Sequence, residues 1–394
     1  MMVTHPLPED RGGPAQPLLI VRDLKKHFPA KGGFWGFGGD TVQAVDGVSF
    51  SIAKGSTLGV VGESGCGKST TARLLLHLIA PDAGEIIFDG DAVGTSDGIS
   101  VRELRLAAQM VFQDSYSSLN PRSTIADIIA FGPRAARGVS TRQAHDRAER
   151  LLDQVGLRAS LFARRYPHEL SGGQRQRVNI ARALALEPRL LILDEAVSAL
   201  DKSVEAQILN LLADLRRDLG LTYLFISHDL NVVRHVSDQV VVMYLGRIVE
   251  IAPVADLFRH PAHPYTQALL RAMPSMDPDN RTSVPPLTGD PPNPINPPSG
   301  CRFRTRCTFA EGVCARVSPV LSAIEEEPSP AMRGKGDRLR AQAVDEGPMQ
   351  EISRVRLTPT LSPNGGEGAH LAACHMVIPG SGHSQAAVVG AGHD

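Results

Sequence analysis

The chain has 394 residues, of which 42% are hydrophobic and 21% are charged, amounts that are ordinary for a soluble globular protein of two or three domains. The formal net charge of -1 excludes a strong general attraction to nucleic acid or to an anionic membrane surface. No apolar run approaches the roughly 18 residues that a membrane-spanning helix needs, and residues 1–17 lack the apolar stretch of a secretory signal. We therefore expect a cytosolic protein that binds no nucleic acid and reaches a membrane only through a partner.

The chain begins with a segment whose composition differs from that of the neighbouring residues. Residues 1–17 are rich in proline, glycine and charge, and they are predicted to form a disordered tail. From residue 18 to residue 260, short apolar runs alternate with stretches at helical spacing, which predicts an α/β domain. Three runs, at residues 57–61, 190–193 and 222–226, are continuous, as in the strands of a mainly parallel sheet covered by helices on both faces.

Two amphipathic helices are predicted within this domain. The first carries an apolar stripe at helical spacing, whose members are Val204, Ile208, Leu211, Leu215 and Leu219. Gly220 follows the stripe and fits a C-terminal cap. The second helix spans residues 141–155 and stops at Gly156. The pattern predicts a strand-helix-strand fold with an inserted helical portion.

A phosphate-binding loop is predicted after the first apolar run. Residues 62–69 match G-x-x-x-x-G-K-[ST] and lie between a strand and a helix, which is the context that this motif requires. The glycines let backbone N–H groups surround phosphates, and the helix N-terminus adds a favourable dipole. Lys68 would reach the β- and γ-phosphates of a nucleotide, and the hydroxyl of Ser69 would bind Mg²⁺. The candidate ATP-binding residues of this loop are Gly62, Glu63, Ser64, Gly65, Cys66, Gly67, Lys68, Ser69 and Thr70.

An acidic pair follows the second apolar run. A strand that ends at Asp194 would deliver this carboxylate beside the phosphate loop, where it can hold the Mg²⁺ shell. Glu195 is then placed to orient and deprotonate the attacking water. An isolated Asp at this position could instead cap the next helix. The phosphate loop upstream favours the nucleotide site.

A serine-glycine-glycine turn before a helix indicates the family. It consists of Ser171, Gly172, Gly173 and Gln174, which could cap that helix or present N–H groups to a phosphate bound by another molecule. The phosphate loop, Gln113, this turn, the acidic pair, residues 198–201 and His228 follow one another in an order that resembles the ATP-binding-cassette (ABC) ATPase domain. The resemblance covers residues 18–260. It implies a P-loop NTPase fold with an inserted helical subdomain.

The resemblance also implies a role for each motif. Two such domains face head to tail and enclose two ATP molecules, each lying between one domain's phosphate loop and the other's signature turn, residues 171–174. Gln113 resembles the glutamine that contacts Mg²⁺ or the attacking water and touches the transmembrane partner, while His228 resembles the histidine that grips the γ-phosphate. The implied Mg²⁺ ligands are Ser69, Gln113 and Asp194, and the implied catalytic residues are Glu195, His228 and Gln113. Phe28 matches the aromatic residue that stacks on adenine, with a place in a strand core as the alternative.

A narrower resemblance concerns the cargo. Residues 111–121, 166–170 and 260–266, together with the extension that begins at Cys301, resemble the ATPases of oligopeptide and dipeptide importers. Such importers contain a second, different ATPase subunit, so a heterodimer is implied, along with two permeases and an extracytoplasmic substrate-binding protein. This places the chain at the cytoplasmic face of the bacterial inner membrane. Peptide is the expected cargo, and related importers carry nickel or glutathione.

Two other functional classes stay open. A cytosolic ABC ATPase of DNA repair or translation has no membrane partner, but those proteins usually carry tandem cassettes or long coiled-coil insertions, which this sequence lacks. A non-catalytic, ATP-binding regulatory subunit would be expected to lose the catalytic glutamate or a signature glycine. Glu195, Gly172 and Gly173 are all present.

The remainder of the chain forms the importer-type extension and a tail. Residues 261–330 are proline-rich and are predicted to be an extended surface segment, while residues 331–394 are predicted to be largely disordered, with a possible returning cysteine segment. Four late cysteines are present at Cys301, Cys307, Cys314 and Cys374. The last two are separated by 59 residues, and a Pro/Gly/Ser-rich stretch among them, around residues 357–368, resembles an insertion. The family resemblance implies a [4Fe–4S] cluster or Zn²⁺ on these thiols, and reduced cysteines without a metal are the alternative.

Overall fold

A computed structural model describes residues 13, 16–29, 41–114, 116–273, 289, 292–324, 369–378, 381 and 383–384. Most of the predicted N-terminal tail and most of the predicted C-terminal tail lie outside these residues. In the part of the chain that is described, no helix is both long and apolar enough to cross a membrane.

Twelve strands of the described residues form two sheets. In chain order they are β1 (Leu19–Pro29), β2 (Thr41–Ile52), β3 (Thr57–Val61), β4 (Ala83–Phe88), β5 (Asp91–Ala92), β6 (Ala108–Val111), β7 (Leu190–Asp194), β8 (Thr222–Ile226), β9 (Gln239–Tyr244), β10 (Arg247–Pro253), β11 (Ser322–Ala323) and β12 (Leu371–Ala372). The smaller sheet is antiparallel, with the order β2-β1-β4-β5. The larger sheet has the order β11-β12-β10-β9-β3-β8-β7-β6.

The centre of the larger sheet is parallel. β3 lies between β8 and β9, and β7 lies between β6 and β8, all in parallel pairing. Every residue of β3, β7 and β8 is buried, as the three continuous apolar runs predict. The predicted α/β fold with a mainly parallel core is therefore confirmed. Because parallel strands end at the same edge of a sheet, the loops that follow Val61, Asp194 and Ile226 lie side by side.

Helices cover the sheet and form the inserted portion. They are α1 (Lys68–Leu75), α2 (Val101–Ala107), α3 (Ile125–Arg137), α4 (Thr141–Gln154), α5 (Ala159–Phe162), α6 (Gly172–Leu184), α7 (Lys202–Leu219), α8 (Leu230–Val236), α9 (Val254–Arg259), α10 (Pro264–Arg271) and α11 (Gly312–Arg316), with a 3₁₀ helix at Pro167–Glu169. The predicted helix over residues 141–155 is α4. It begins where Ser140 and Gln143 form a capping box, in which each side chain accepts a hydrogen bond from the other residue's backbone N–H.

The predicted apolar stripe lies on α7, but its buried face is rotated. Ile208 and Leu215 are buried as predicted, whereas Leu219 is 46% exposed. Leu209 and Leu212 take core positions instead. The spacing of apolar residues is compatible with several neighbouring faces of a helix. The elements that pack against the helix decide which of these faces is buried. The helix does end at Gly220, which adopts the left-handed conformation with φ of 63°.

The described parts of the extension (residues 261–330) and of the tail (residues 331–394) pack against the larger sheet. β12 pairs with the edge of β10, and β11 pairs with β12. Phe303 is only 3% exposed and belongs to the main hydrophobic core. The composition predicted an extended surface segment here. The structure differs because apolar side chains such as Phe303 and Val313 find buried positions against the domain.

Candidate active site

The phosphate loop connects β3 to α1, and its glycines are required by close backbone approaches. Gly62 has φ of 147°, and a Cβ there would lie 2.2 Å from the carbonyl oxygen of Met243. Gly67 has φ of 107°, and a Cβ there would lie 2.3 Å from the carbonyl oxygen of Ala44. No side chain with a Cβ fits at either position without moving the backbone around it. The loop thus wraps tightly at the start of α1, where first-turn N–H groups can bind an anion.

Lys68 lies inside this loop. Its side chain is nearly buried, and Nζ donates hydrogen bonds to the carbonyl oxygens of Gly62, at 2.7 Å, and Glu63, at 3.0 Å. A buried ammonium needs such oxygen partners because water is excluded. The arrangement holds a positive charge at the centre of the loop, where a phosphate would bind.

Ser69 and Asp194 form the candidate magnesium site. The hydroxyl of Ser69, in the first turn of α1, donates a 2.9 Å hydrogen bond to Oδ1 of Asp194 at the end of β7. Burial raises the pKa of Asp194, and the neighbouring charge of Glu195 acts in the same direction. A hydroxyl and a carboxylate side by side suit Mg²⁺, which takes one or two protein oxygens and completes its shell with phosphates and water. These residues therefore fit the ion, and a bound Mg²⁺ would offset the cost of burying the carboxylate charge.

The three predicted catalytic side chains meet at one oxygen. Nε2 of Gln113 donates a 2.8 Å hydrogen bond to Oε2 of Glu195, and Nδ1 of His228 lies 3.6 Å from the same oxygen. Glu195 has φ of 49°, an uncommon backbone conformation for a residue with a side chain. Strained residues of this kind cluster at functional sites. The chain thus brings together Gln113, Glu195 and His228 from the loops after β6, β7 and β8.

The signature turn lies at the start of α6. Ser171 caps this helix, with Oγ accepting from N–H of Gln174 at 3.3 Å, and the Gln174 side chain accepts from N–H of Ser171 at 3.0 Å. Among the described residues, no hydrogen bond joins residues 171–174 to the phosphate loop of the same chain. A Cβ on Gly173 would lie 2.4 Å from Cγ1 of Val204, so this glycine lets α6 approach α7. The helix-cap and phosphate-binding predictions for the turn are compatible, because only part of the first-turn N–H groups is used by the cap.

Phe28 lies on β1, half-buried, opposite Val42 of β2. Nζ of Lys26 lies 5.6 Å from the centre of its ring. The structure places Phe28 on the smaller sheet with its ring partly accessible, and the adenine-stacking role stays a prediction.

The four late cysteines line a single cavity. It is surrounded by Cys301, Cys307, Cys314 and Cys374 together with His263, His375 and His383, among other side chains. Burial raises the pKa of the Cys301 thiol to about 11 and that of the Cys374 thiol to about 12. No group of three His, Cys, Asp or Glu side chains in the described ranges is arranged to hold a single metal ion. A metal centre on the four thiols, whether zinc or an iron–sulfur cluster, therefore stays a prediction, although the thiols do line one cavity.

Sequence reasoning missed the residues that hold Glu63 of the phosphate loop. Backbone N–H of Glu63 donates to the hydroxyl of Tyr265 at 2.8 Å. Its carboxylate accepts two hydrogen bonds from Arg306, at 2.7 and 3.0 Å. Both partners lie outside the predicted ATPase domain, and no motif or spacing in the sequence indicates the pairing.

Comparison with known proteins agrees with this geometry. Residues 45–198 match the family model of the ABC transporter, and residues 249–314 match that of the oligopeptide/dipeptide transporter, C-terminal region. The dipeptide transport ATP-binding protein DppF of Escherichia coli is 48% identical over 306 residues, which cover 78% of this chain and 91% of that protein. The chain belongs to the oligopeptide/dipeptide ABC transporter family of ATP-binding subunits. It is an ABC-type ATPase.

Other relatives of this ABC ATPase show the same relationship. The oligopeptide transport ATP-binding protein AppF of Bacillus subtilis is 50% identical over 307 residues, which cover 77% of this chain and 92% of AppF. Among solved structures, cbiO1 from Clostridium perfringens, part of the ABC transporter complex cbiONQ, is 28% identical with a TM-score of 0.53 and covers 61% of this chain and 90% of its own. An ATP-binding cassette in a dimeric post-hydrolysis state with ADP and Pi is 28% identical with a TM-score of 0.51, and covers 60% of this chain and 98% of its own.

Proposed function

We propose that this ABC ATPase is the motor subunit of a bacterial importer for dipeptides or oligopeptides, acting at the cytoplasmic face of the inner membrane. Its partners are a second ATPase subunit, two permeases and, through them, an extracytoplasmic substrate-binding protein. The names of DppF and AppF support the peptide cargo. Nickel and glutathione are the competing cargoes.

The observation that carries the hydrolytic role is the convergence on Oε2 of Glu195. This carboxylate accepts a proton from the attacking water as the water's oxygen bonds to the γ-phosphorus, while the bond from that phosphorus to the β–γ bridging oxygen breaks and ADP leaves. Gln113 and His228, which lie 2.8 and 3.6 Å from Oε2, orient the water and contact the γ-phosphate. Lys68 neutralises the β- and γ-phosphates. Ser69 and Asp194 would hold Mg²⁺, which would supply positive charge beside the phosphate oxygens.

The signature turn supports a head-to-tail dimer. Residues 171–174 have no hydrogen bond to the phosphate loop of their own chain within the described residues, so we propose that their N–H groups serve the ATP bound by the partner subunit. A non-catalytic regulatory subunit is disfavoured by the intact arrangement around Glu195. A cytosolic ABC ATPase without a transporter partner is disfavoured by the match of residues 249–314 to the peptide-transporter family model.

The test uses the chain co-expressed with its two permeases and second ATPase subunit and reconstituted in liposomes. Hydrolysis of ATP should rise when the binding protein is supplied with a dipeptide, and it should not rise with Ni²⁺ or glutathione. A Lys68→Ala variant should lose ATP binding and serves as the negative control. Stimulation by Ni²⁺ or glutathione alone would overturn the peptide assignment, while ATP hydrolysis that is indifferent to permeases and binding protein would overturn the importer assignment.

We also propose that the four-thiol cavity holds an iron–sulfur cluster. The ligands would be Cys301, Cys307, Cys314 and Cys374. His263 lines this cavity, and its Nε2 is buried without a hydrogen-bond partner in the described structure. Because Nδ1 of this ring accepts from N–H of Tyr265, Nε2 carries the proton and can donate to a sulfide or thiolate. Four thiolates suit either a [4Fe–4S] cluster or Zn²⁺, and Zn²⁺ is the competing occupant. Iron, sulfide and zinc analysis after anaerobic purification tests it, and less than a tenth of an equivalent of iron would refute it.

A further inference from the structure

The C-terminal extension meets the nucleotide site at a compact aromatic contact. Phe303 of the extension packs with its ring centre 5.3 Å from that of Tyr244 and 5.4 Å from that of Tyr265. Tyr244 is the last residue of β9, which pairs with β3, and the phosphate loop follows β3. The aromatic contact therefore lies next to the phosphate loop. The extension is therefore docked by buried apolar surface at this place, which fixes the position of the residues that come after Phe303.

Arg306 projects from that docked segment onto the phosphate loop. Its two terminal nitrogens pair with the two carboxylate oxygens of Glu63, at 2.7 and 3.0 Å, in a fork-to-fork geometry. The side chains are 6% and 24% exposed, so the pair is largely shielded from water. Hydrogen bonds to Glu63 raise the pKa of Arg306, and its positive charge is permanent. Breaking such a pair from one side leaves a charge without its partner in a place that water barely reaches.

Glu63 in turn is joined to the residue that binds phosphate. Its carbonyl oxygen accepts the 3.0 Å hydrogen bond from Nζ of Lys68, and its backbone N–H donates to Tyr265. The carboxylate, the N–H and the carbonyl of Glu63 thus each have a hydrogen-bond partner. Two of these partners, Arg306 and Tyr265, lie beyond the last strand of the parallel core.

A second arginine of the extension binds a turn that is hydrogen-bonded to the same loop. Arg302 is buried and donates to the carbonyl oxygen of Leu245 and to the side chains of Gln43 and Asp46. N–H of Gly246, next to Leu245, donates to the carbonyl oxygen of Cys66 at 2.9 Å. The extension is therefore connected to the loop twice, directly at Glu63 and indirectly through the Leu245–Gly246 turn.

We infer that Arg306 is a positioning residue of the ATPase, through which the C-terminal extension holds the phosphate loop in the form that binds MgATP. The inference rests on the nucleotide site proposed above. Arg306 interacts with Glu63 and with the Tyr244 side chain, and not with the nucleotide, so it acts on the position of Glu63 and hence on Lys68. Without the Arg306–Glu63 pair, the loop also adopts conformations in which Lys68 is displaced. MgATP then binds more weakly, because part of its binding free energy is used to return the loop to the binding conformation.

The experiment is a double-mutant cycle on the full chain, read as the dissociation constant for MgATP. Arg306→Met and Glu63→Gln should each weaken binding roughly tenfold, which is an ordinary size for coupling between two sites. The double variant should also be weakened about tenfold and not a hundredfold, because both changes remove one interaction. Arg306→Lys keeps the charge but loses the fork, and it should recover only part of the affinity.

Arg316→Met is the matched control. It removes the same charge from the exposed last turn of α11, in the same extension, and should leave the dissociation constant unchanged. A purely structural role for Arg306 would lower the melting temperature and the fraction of chains that bind, while the chains that do bind keep the wild-type affinity. That result, or additive effects in the cycle, overturns the inference. If Lys68→Ala also leaves MgATP affinity unchanged, the nucleotide site itself is misassigned; if only Arg306→Met is without effect, the positioning role alone fails.

Discussion

Ser69 and Asp194, which are 125 residues apart in the chain, are joined by a hydrogen bond of 2.9 Å between the Ser69 hydroxyl and Oδ1 of the carboxylate. The bond connects the first turn of α1 to the last residue of β7. It places the two oxygen ligands of the candidate magnesium site next to each other before any ion arrives. Such preorganisation lowers the cost of assembling the site when nucleotide and metal bind.

Asp194→Asn should remove the magnesium dependence of nucleotide binding. The amide keeps the size of the side chain and its ability to accept from Ser69, but it lacks the charge that attracts Mg²⁺. We expect ATP to bind with nearly the same affinity with and without Mg²⁺, and hydrolysis to fall by at least about a hundredfold, as is typical when charge stabilisation of a transition state is lost. Titration of ATP with and without EDTA measures this, and Asp97→Asn on an exposed loop is the control. A variant whose binding is still strengthened by Mg²⁺ would contradict the site.

Glu195→Gln should bind MgATP and fail to hydrolyse it. The substitution removes the proton acceptor while the phosphate loop and the Ser69–Asp194 pair survive. ATP should therefore trap a dimer in the complex with the second ATPase subunit, visible by size-exclusion chromatography with light scattering. The control is Glu187→Gln, a surface residue whose ion pairs with Arg137 and Arg147 are partly exposed. ATP turnover near the wild-type rate in Glu195→Gln would show that Glu195 is not the catalytic base.

Gly173→Ala should destabilise the fold more than Gly172→Ala. A Cβ at Gly173 would lie 2.4 Å from Cγ1 of Val204, while a Cβ at Gly172 would meet its nearest neighbour, Leu200, at an ordinary 3.6 Å. Overpacking of this kind costs about 1–3 kcal/mol. Urea unfolding measures the difference, and Val204→Ala in the Gly173→Ala background should restore part of the loss. Equal midpoints for the two single variants would show that α6 shifts to absorb the methyl group.

Ser171→Arg should act in trans. The bulky cation spoils the turn that serves the partner's ATP, while the variant chain's own phosphate loop is unchanged. In a heterodimer that carries Ser171→Arg, photo-crosslinking of an ATP analogue should fall at the partner's phosphate loop and persist at Lys68. Loss at the loop of the variant chain itself would show that the site is not shared between subunits.

Cys66 should be chemically inert in the folded chain although it lies in the phosphate loop. Burial raises the pKa of its thiol, with the charge of Lys68 acting in the opposite direction, and only the thiolate reacts with alkylating agents. Alkylation by iodoacetamide at neutral pH, followed by mass spectrometry, should be at least about tenfold slower in the native chain than in urea. Because the folded thiol keeps its proton to higher pH than the unfolded one, this group's contribution to stability is present below about pH 8.5 and is lost as the pH rises further. Rapid native labelling of Cys66 would contradict this assignment.

The parts of the nucleotide site that could be predicted from sequence are those formed by residues close together in the chain. The spacing of Gly62, Gly67 and Lys68 defines a tight loop with N–H groups turned inward, and the close backbone approaches at both glycines agree with it. The apolar run that ends at Asp194 predicted a buried strand that delivers a carboxylate to the loop, which is also found. Motif order placed Gln113 and His228 in the site, but the sequence did not indicate that both meet Oε2 of Glu195.

What the sequence by itself determined is therefore the α/β fold, the phosphate loop and the family, because strand burial and loop conformation depend on residues close together in the chain. Only the tertiary structure decided which face of α7 is covered, that Phe303 enters the core, and that the thiols of Cys314 and Cys374 line one cavity. It also decided that Arg306 pairs with Glu63, 243 residues earlier. Pairings at such separation carry no local conformational preference, and they exist only because both segments are docked by the burial of their apolar neighbours.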